Sequence, residues 1–336
     1  MSTFTTSVKY PRLRHCTLIE KEDTNSILMI VGSNYFEIDE EMGSREKFLE
    51  VKSYFDGRHS IKEISNLTEV SEEDLISIVT EFEEMGLLRS EESVHLIKKE
   101  DFINQIEESC IMWAQQIGYH RLFGQIESGE ARKEVFQGYI LETYHYVKSA
   151  RKHISTALAH CTNDHHEELL TDFFNDEYNH YPLMLESLER MGIPKDRVES
   201  AHPIIGTMSL INMLCEIGRQ STLAYIACTS LFEAREEDFE QSKTSLERLA
   251  EAAGFKASDV APVIEHMRGD VEADHNSLLE EALADIEYIN AEEAHFAVNC
   301  LHDLKHSFDQ FHDQILEYYS DISNYIPRLK VDYFSL

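Results

Sequence analysis

The chain has 336 residues, with 30 Lys and Arg against 63 Asp and Glu, a formal net charge of −33 at pH 7. A surplus of that size repels phosphate backbones and anionic lipid surfaces, so nucleic-acid and membrane-surface partners are disfavoured. The 42% apolar content suffices for a buried core, the length suits about two domains, and no apolar run is long enough to cross a bilayer. With no secretory signal, the expected location is cytoplasmic. The six cysteines form no CxxC pair and read as buried apolar thiols.

Residues 1–25 read as irregular. Ser26–Asp39, SILMIVGSNYFEID, sets two apolar runs around Gly32-Ser33-Asn34 and predicts a β-hairpin. Ser44–Phe55 predicts a helix ending at Asp56-Gly57, and His59–Leu67 carries Ile61, Ile64 and Leu67 at helical steps. Ser71 followed by Asp74 opens a third helix with Leu75, Ile78, Val79 and Phe82 on one face, and Gly86 ends it. Leu87–Ile97 predicts a second short hairpin. This order over residues 26–98 predicts a small winged-helix (α+β) domain, but 12 Lys and Arg against 21 Asp and Glu in residues 1–100 argue against a DNA role.

From Glu100 onward the apolar periodicity predicts helices over Glu134–Leu158, His166–Arg190, Ile204–Glu233, Glu236–Ala252, Asp259–Asp285 and Ala291–Ser323. Alternating strands are absent, so residues 105–325 predict an all-α bundle, followed by a short tail, 326–336.

Bundles of this kind place carboxylates and imidazoles on facing helices, donors that suit iron or manganese. Glu177-x-x-His180 has one-face spacing on its predicted helix. Glu233 ends a long apolar helix, where it is either a solvated boundary residue or an inward ligand. His266, Asp270, Ala273, Asp274 and Ser277 share a helical face, with His275 roughly opposite. Glu142-x-x-His145, with Tyr144 between, reads as pocket lining or ordinary helix surface. His302 and His306 have metal spacing, but Asp303 and Asp309 beside them favour a solvated face. Each element alone reads equally well as helix surface.

The segment FEIDEEMGSREKFLEVKSYFDGRHSIKEISN, with VSEEDLISIVTEFEEMGLLRSEE, resembles the pyrroloquinoline-quinone biosynthesis protein D family in its strand pair, the DG turn before IKEIS and the helix ending MGLL. That resemblance implies a peptide recognition element that takes a leader peptide as an added strand. DEYNHYPLMLESLERMGI, LAYIACTSLFEAREEDF and DVAPVIEHMRGDVEADHNSLLEEAL together resemble the haem-oxygenase-like diiron oxidases, a seven-helix all-α family related to the thiaminase II and pyrroloquinoline-quinone protein C folds. The resemblance implies metal ligands at Glu177, His180, Glu233, His266 and Asp270. The family's last histidine position holds Ala273, and the sequence admits Asp274 from the same face, His275 if the helix is distorted near Gly269, or neither. Glu142, His145 and Tyr144 would then lie in a second shell or pocket.

The resemblance further implies Fe(II), two ions if the site is complete, with O2 as co-substrate. The substrate would be a small amino-acid-like molecule or a ribosomally made precursor peptide. An external electron donor and a homodimer are further expectations. Two other readings stand beside this one: a cofactor-free or thiaminase-like enzyme using the same acids and histidines, and a non-catalytic binding protein whose metal site has decayed.

Overall fold

The computed structural model describes residues 8–21, 26–32, 34–38, 44–89, 95–232, 236–273 and 278–330. It divides into two compact units, Met1–Val94 and His95–Leu336. Among the described residues no helix is long and apolar enough to cross a membrane.

The first unit is a three-stranded antiparallel sheet followed by three helices. Strands β1 (Thr17–Lys21), β2 (Ser26–Val31) and β3 (Asn34–Ile38) lie in that order, with Met29 of β2 opposite Leu18 and Phe36. Helices α1 (Arg45–Ser53), α2 (Ile61–Thr68) and α3 (Glu72–Glu84) are each started by a serine, Ser44, Ser60 and Ser71, whose hydroxyl accepts a backbone N–H of the first turn. Ile27, Met29 and Val31 of β2 meet Val51, Phe55, Ile64, Leu75, Val79 and Phe82 in one core. Gly57, at φ +77°, makes the turn after α1 and closes on the side chain of Arg12.

Two expectations for this unit fail. Residues 17–21, read as irregular, form β1, an edge strand whose alternation is weak because most of it stays partly exposed. The hairpin expected over Leu87–Ile97 is not formed by its described residues. Leu88 bridges Leu13 instead, and β4 (Leu96–Lys98) lies within the second unit, where it pairs antiparallel with β5 (Tyr288–Asn290). Each described arm has another partner, so no wing is formed among the described residues.

The second unit is helical: α4 (Lys99–Gly118), α5 (Arg121–Glu127), α6 (Lys133–Lys148), α7 (Ala150–His160), α8 (Asp164–Glu177), α9 (Tyr181–Arg190), α10 (Lys195–Ser200), α11 (Ile205–Gln220), α12 (Thr222–Phe232), α13 (Glu236–Ala252), α14 (Ala261–Glu272), α15 (Leu278–Ala282) and α16 (Ala291–Ser320). Helix α16, about 45 Å long, is the spine. Its buried residues Ala294, Ala297, Leu301, Leu304, Phe311, Ile315 and Tyr319 recur at three- and four-residue steps, and it packs on α4, α5, α6, α11 and α12.

Several rods predicted as continuous are interrupted. Glu134–Leu158 divides at Ser149, Ile204–Glu233 at Ser221, where the backbone is extended and the hydroxyl accepts the N–H of Ala224, and the described part of Asp259–Asp285 comprises α14, capped at Ala273, and α15. Periodicity survives such breaks because the apolar stripe resumes on the far side.

Candidate metal centre

Helix α8 ends at Glu177 and α9 starts at Tyr181 with His180 as its N-cap, so the ExxH pair straddles a break instead of sharing one continuous face. Pro182 explains the break. Inside a helix its ring would meet the carbonyl of Tyr178, and it has no N–H to continue the ladder, whereas at the start of α9 neither matters. Across the break, Nδ1 of His180 lies 3.0 Å from Oε1 of Glu177.

Helix α14, which packs on α9, supplies His266 and Asp270 one turn apart. Nδ1 of His266 is 3.0 Å from Oδ2 of Asp270, and Oδ1 of Asp270 is 3.6 Å from Nδ1 of His180. The two imidazoles meet edge to face with centroids 5.0 Å apart. One ligand atom each from Glu177, His180 and His266 all fall within 4.8 Å of one another, the one such group of three found among the described residues.

Glu177 is 6% exposed and Asp270 5%. Two buried carboxylates side by side carry a desolvation cost of several kcal/mol each unless positive charge meets them. His180 answers in part: contact with the Glu177 carboxylate holds its imidazole above the ordinary range, although burial opposes this. Yet no hydrogen bond closes on Oδ1 of Asp270, which is shielded from solvent. Orphaned buried polar atoms call for a missing partner, and carboxylate with imidazole is a donor set for a divalent transition-metal ion such as iron or manganese. The residues present therefore fit a metal. With Nδ1 of His266 against Asp270, ligation by that ring falls to Nε2.

Asp270, expected as a ligand, lies beside the group, with one oxygen against His266 and the other toward His180. Glu233, Asp274 and His275 lie outside the described residues. The described part of α12 reaches Phe232, and that of α14 reaches Glu272 with Ala273 as its C-cap.

The segment between Glu177 and His180 is held from α6 and α7, which the sequence did not reveal. Lys148 lies over the rings of Tyr144 and Tyr181, at 5.1 and 5.4 Å, and Arg151 lies 5.7 Å from both Tyr178 and Tyr181. The tyrosines flanking His180 were the available signal. Tyr144 is fully buried, accepts a hydrogen bond from Lys148 and packs on Tyr181. His145 is buried, and burial pushes its imidazole down to about 4. Glu142, fully buried, accepts from Tyr319 Oη at 2.6 Å, Thr207 Oγ1 at 2.5 Å and the Ile204 N–H at 3.2 Å. It thus ties α6 to the start of α11 and the end of α16. Burial raises its carboxyl above the usual range.

Residues 107–260 match the TENA/THI-4/PQQC family profile. No curated protein sequence matches the chain. A solved domain of unknown function with a haem oxygenase-like fold, from Shewanella denitrificans OS217, superposes with TM-score 0.53 at 16% identity, covering 68% of this chain and 98% of that one. A TenA family transcription regulator from Silicibacter sp. TM1040 (12% identity, 64% and 96% coverage, TM-score 0.46) and a TenA homologue from Pseudomonas syringae pv. tomato DC3000 (9%, 64% and 93%, 0.48) also match. Residues 107–260 are thus similar to the TENA/THI-4/PQQC family, and the helical unit that contains them has a haem oxygenase-like fold.

Proposed function

We propose that the helical unit is a non-haem iron oxidase or oxygenase whose ion is held by Glu177, His180 and His266, with Asp270 orienting His266. The observation that carries this reading is the convergence of those three donors within 4.8 Å from the end of α8, the start of α9 and the middle of α14. Glu233 and Asp274 are the candidates to complete a second iron position. Bound iron would supply the reduction of O2 and the oxidation of a held substrate, with electrons from an external donor. The chain's own part is positional. Asp270 keeps Nδ1 of His266 occupied, the His180–Glu177 contact fixes the second imidazole, and Lys148 and Arg151 brace the tyrosines on either side of His180.

The substrate is a small amino-acid-like molecule or a precursor peptide. Support for a peptide comes from the first unit, whose sheet leaves β1 and β3 as edges that can accept an added strand. A second reading, a cofactor-free thiaminase-like enzyme using Glu177 and His180 as acid and base, draws support from the TENA/THI-4/PQQC match. Oxygen uptake separates the two. Anaerobically Fe(II)-loaded protein mixed with O2 and a reductant should consume oxygen, and Glu177→Ala should not. Uptake that is absent, or unchanged by Glu177→Ala, contradicts the oxidase reading.

A further inference from the structure

Helix α16 carries two histidines that the Glu177 centre does not use. His302 and His306 are four residues apart, so their side chains stand on the same face. Their Nε2 atoms lie 3.2 Å apart and share a hydrogen bond that an ion would displace, with ring centroids at 4.5 Å. Two nitrogens bound to one tetrahedral Zn2+ at about 2.05 Å would stand about 3.3 Å from each other, so the pair already has the spacing of a chelate.

Both rings are held from behind. Trp113 of α4 meets His302 edge on, with centroids 5.8 Å apart. Oδ2 of Asp309 is 3.3 Å from Nδ1 of His306 and is itself held by Lys305 at 2.7 Å. A carboxylate on Nδ1 selects the tautomer that presents the Nε2 lone pair, the arrangement seen behind metal-bound imidazoles. Both side chains reach solvent, at 21% and 46% exposure, so water can fill the remaining coordination positions, and a surface of net charge −33 concentrates cations around them.

We propose that His302 and His306 form a second metal site, a two-imidazole clamp on α16 that shares no residue with the Glu177 centre. Its donors are nitrogen only, which selects Zn2+, Ni2+ or Cu2+ and excludes Mg2+ and Ca2+. An ion there ties consecutive turns of the spine helix and stabilises the folded chain by an amount that grows with the logarithm of free ion over its Kd.

Equilibrium dialysis of the full-length protein against Ni2+ tests this. In the Glu177→Ala/His266→Ala background, which removes the other centre, one Ni2+ should remain bound and raise the melting temperature. His306→Asn or His302→Asn should weaken that binding by roughly a hundredfold and abolish the temperature shift, while Mg2+ should produce neither effect. Should the double background fold poorly, wild type against His306→Asn, a change at a solvent-reaching side chain, must show the loss of one equivalent. Ni2+ uptake that is absent, or equal with and without His306, overturns the proposal.

Discussion

Nδ1 of His266 lies 3.0 Å from Oδ2 of Asp270 one helical turn further along α14. A histidine ligand held this way loses the freedom to rotate off its metal, and its second nitrogen becomes more basic. Asp270→Asn keeps the shape but removes the charge. It should weaken Fe(II) or Co(II) binding by about 10- to 100-fold, measured by titration of the Co(II) absorbance bands, with far-ultraviolet dichroism unchanged.

The cations over Tyr178 and Tyr181 make a second prediction. Arg151→Met keeps most of the packing and loses the guanidinium over both rings. A loss of about 1 kcal/mol should appear as roughly a fivefold weaker metal affinity, because the segment bearing His180 is less well held. Equal affinity in the two proteins would show that the brace serves stability alone.

Glu142 makes the strongest stability prediction. Glu142→Ala removes the acceptor for Tyr319, Thr207 and Ile204 and leaves buried donors unpaired, so urea unfolding should show a loss of about 3 kcal/mol or more. Gly138→Ala should destabilise as well, by about 1–3 kcal/mol, because a Cβ there would overlap the ring of Tyr319. Neither change touches the Glu177 centre, so metal affinity measured on the folded protein should hold.

Acid should unfold the helical unit through its buried histidines. His145 is pushed down to about 4, and His153 and His312 to about 3, in each case chiefly by burial. Unfolded histidine takes up its proton near about pH 6.5, so each site contributes its full stability above that pH. Below it the unfolded chain binds protons that the folded chain refuses, and stability falls by about 1.4 kcal/mol per pH unit per histidine until the folded values are reached. Glu142, whose carboxyl is raised, acts in the opposite sense. With three such imidazoles against one such carboxyl, denaturation midpoints should drop steadily from pH 6.5 to 4, and His312→Phe should flatten the slope. A midpoint independent of pH over that range would contradict the buried, neutral assignment.

Much of the architecture was legible because apolar spacing survives local irregularity. Ser71 with Asp74, and the stripe Leu75, Val79 and Phe82, define α3 from sequence alone, as Ala294 through Tyr319 define α16. The breaks were not legible where a polar residue such as Ser149 or Ser221 interrupts an otherwise intact stripe. At Pro182 the signal was present and simply outweighed by the ExxH spacing. The wing failed for a different reason: strand propensity in Leu87–Ile97 does not say which partner each arm will find, and Leu13 and Ile289 lie far away along the chain. Within the centre, the spacing of Glu177, His180, His266 and Asp270 was readable, but the contact of His266 with Asp270, on which the proposed orienting role rests, needed coordinates. The Lys148 and Arg151 brace depends on pairing between helices, which no local pattern encodes.

The measurement that bears most directly on the account is anaerobic Fe(II) binding by the full-length protein, read as iron retained per chain after desalting. Wild type should retain at least one iron, and Glu177→Ala and His266→Ala should each lose it while remaining folded. Retention of none by the wild type, or of equal amounts by the wild type and both variants, would contradict the assignment of Glu177, His180 and His266 as an iron centre.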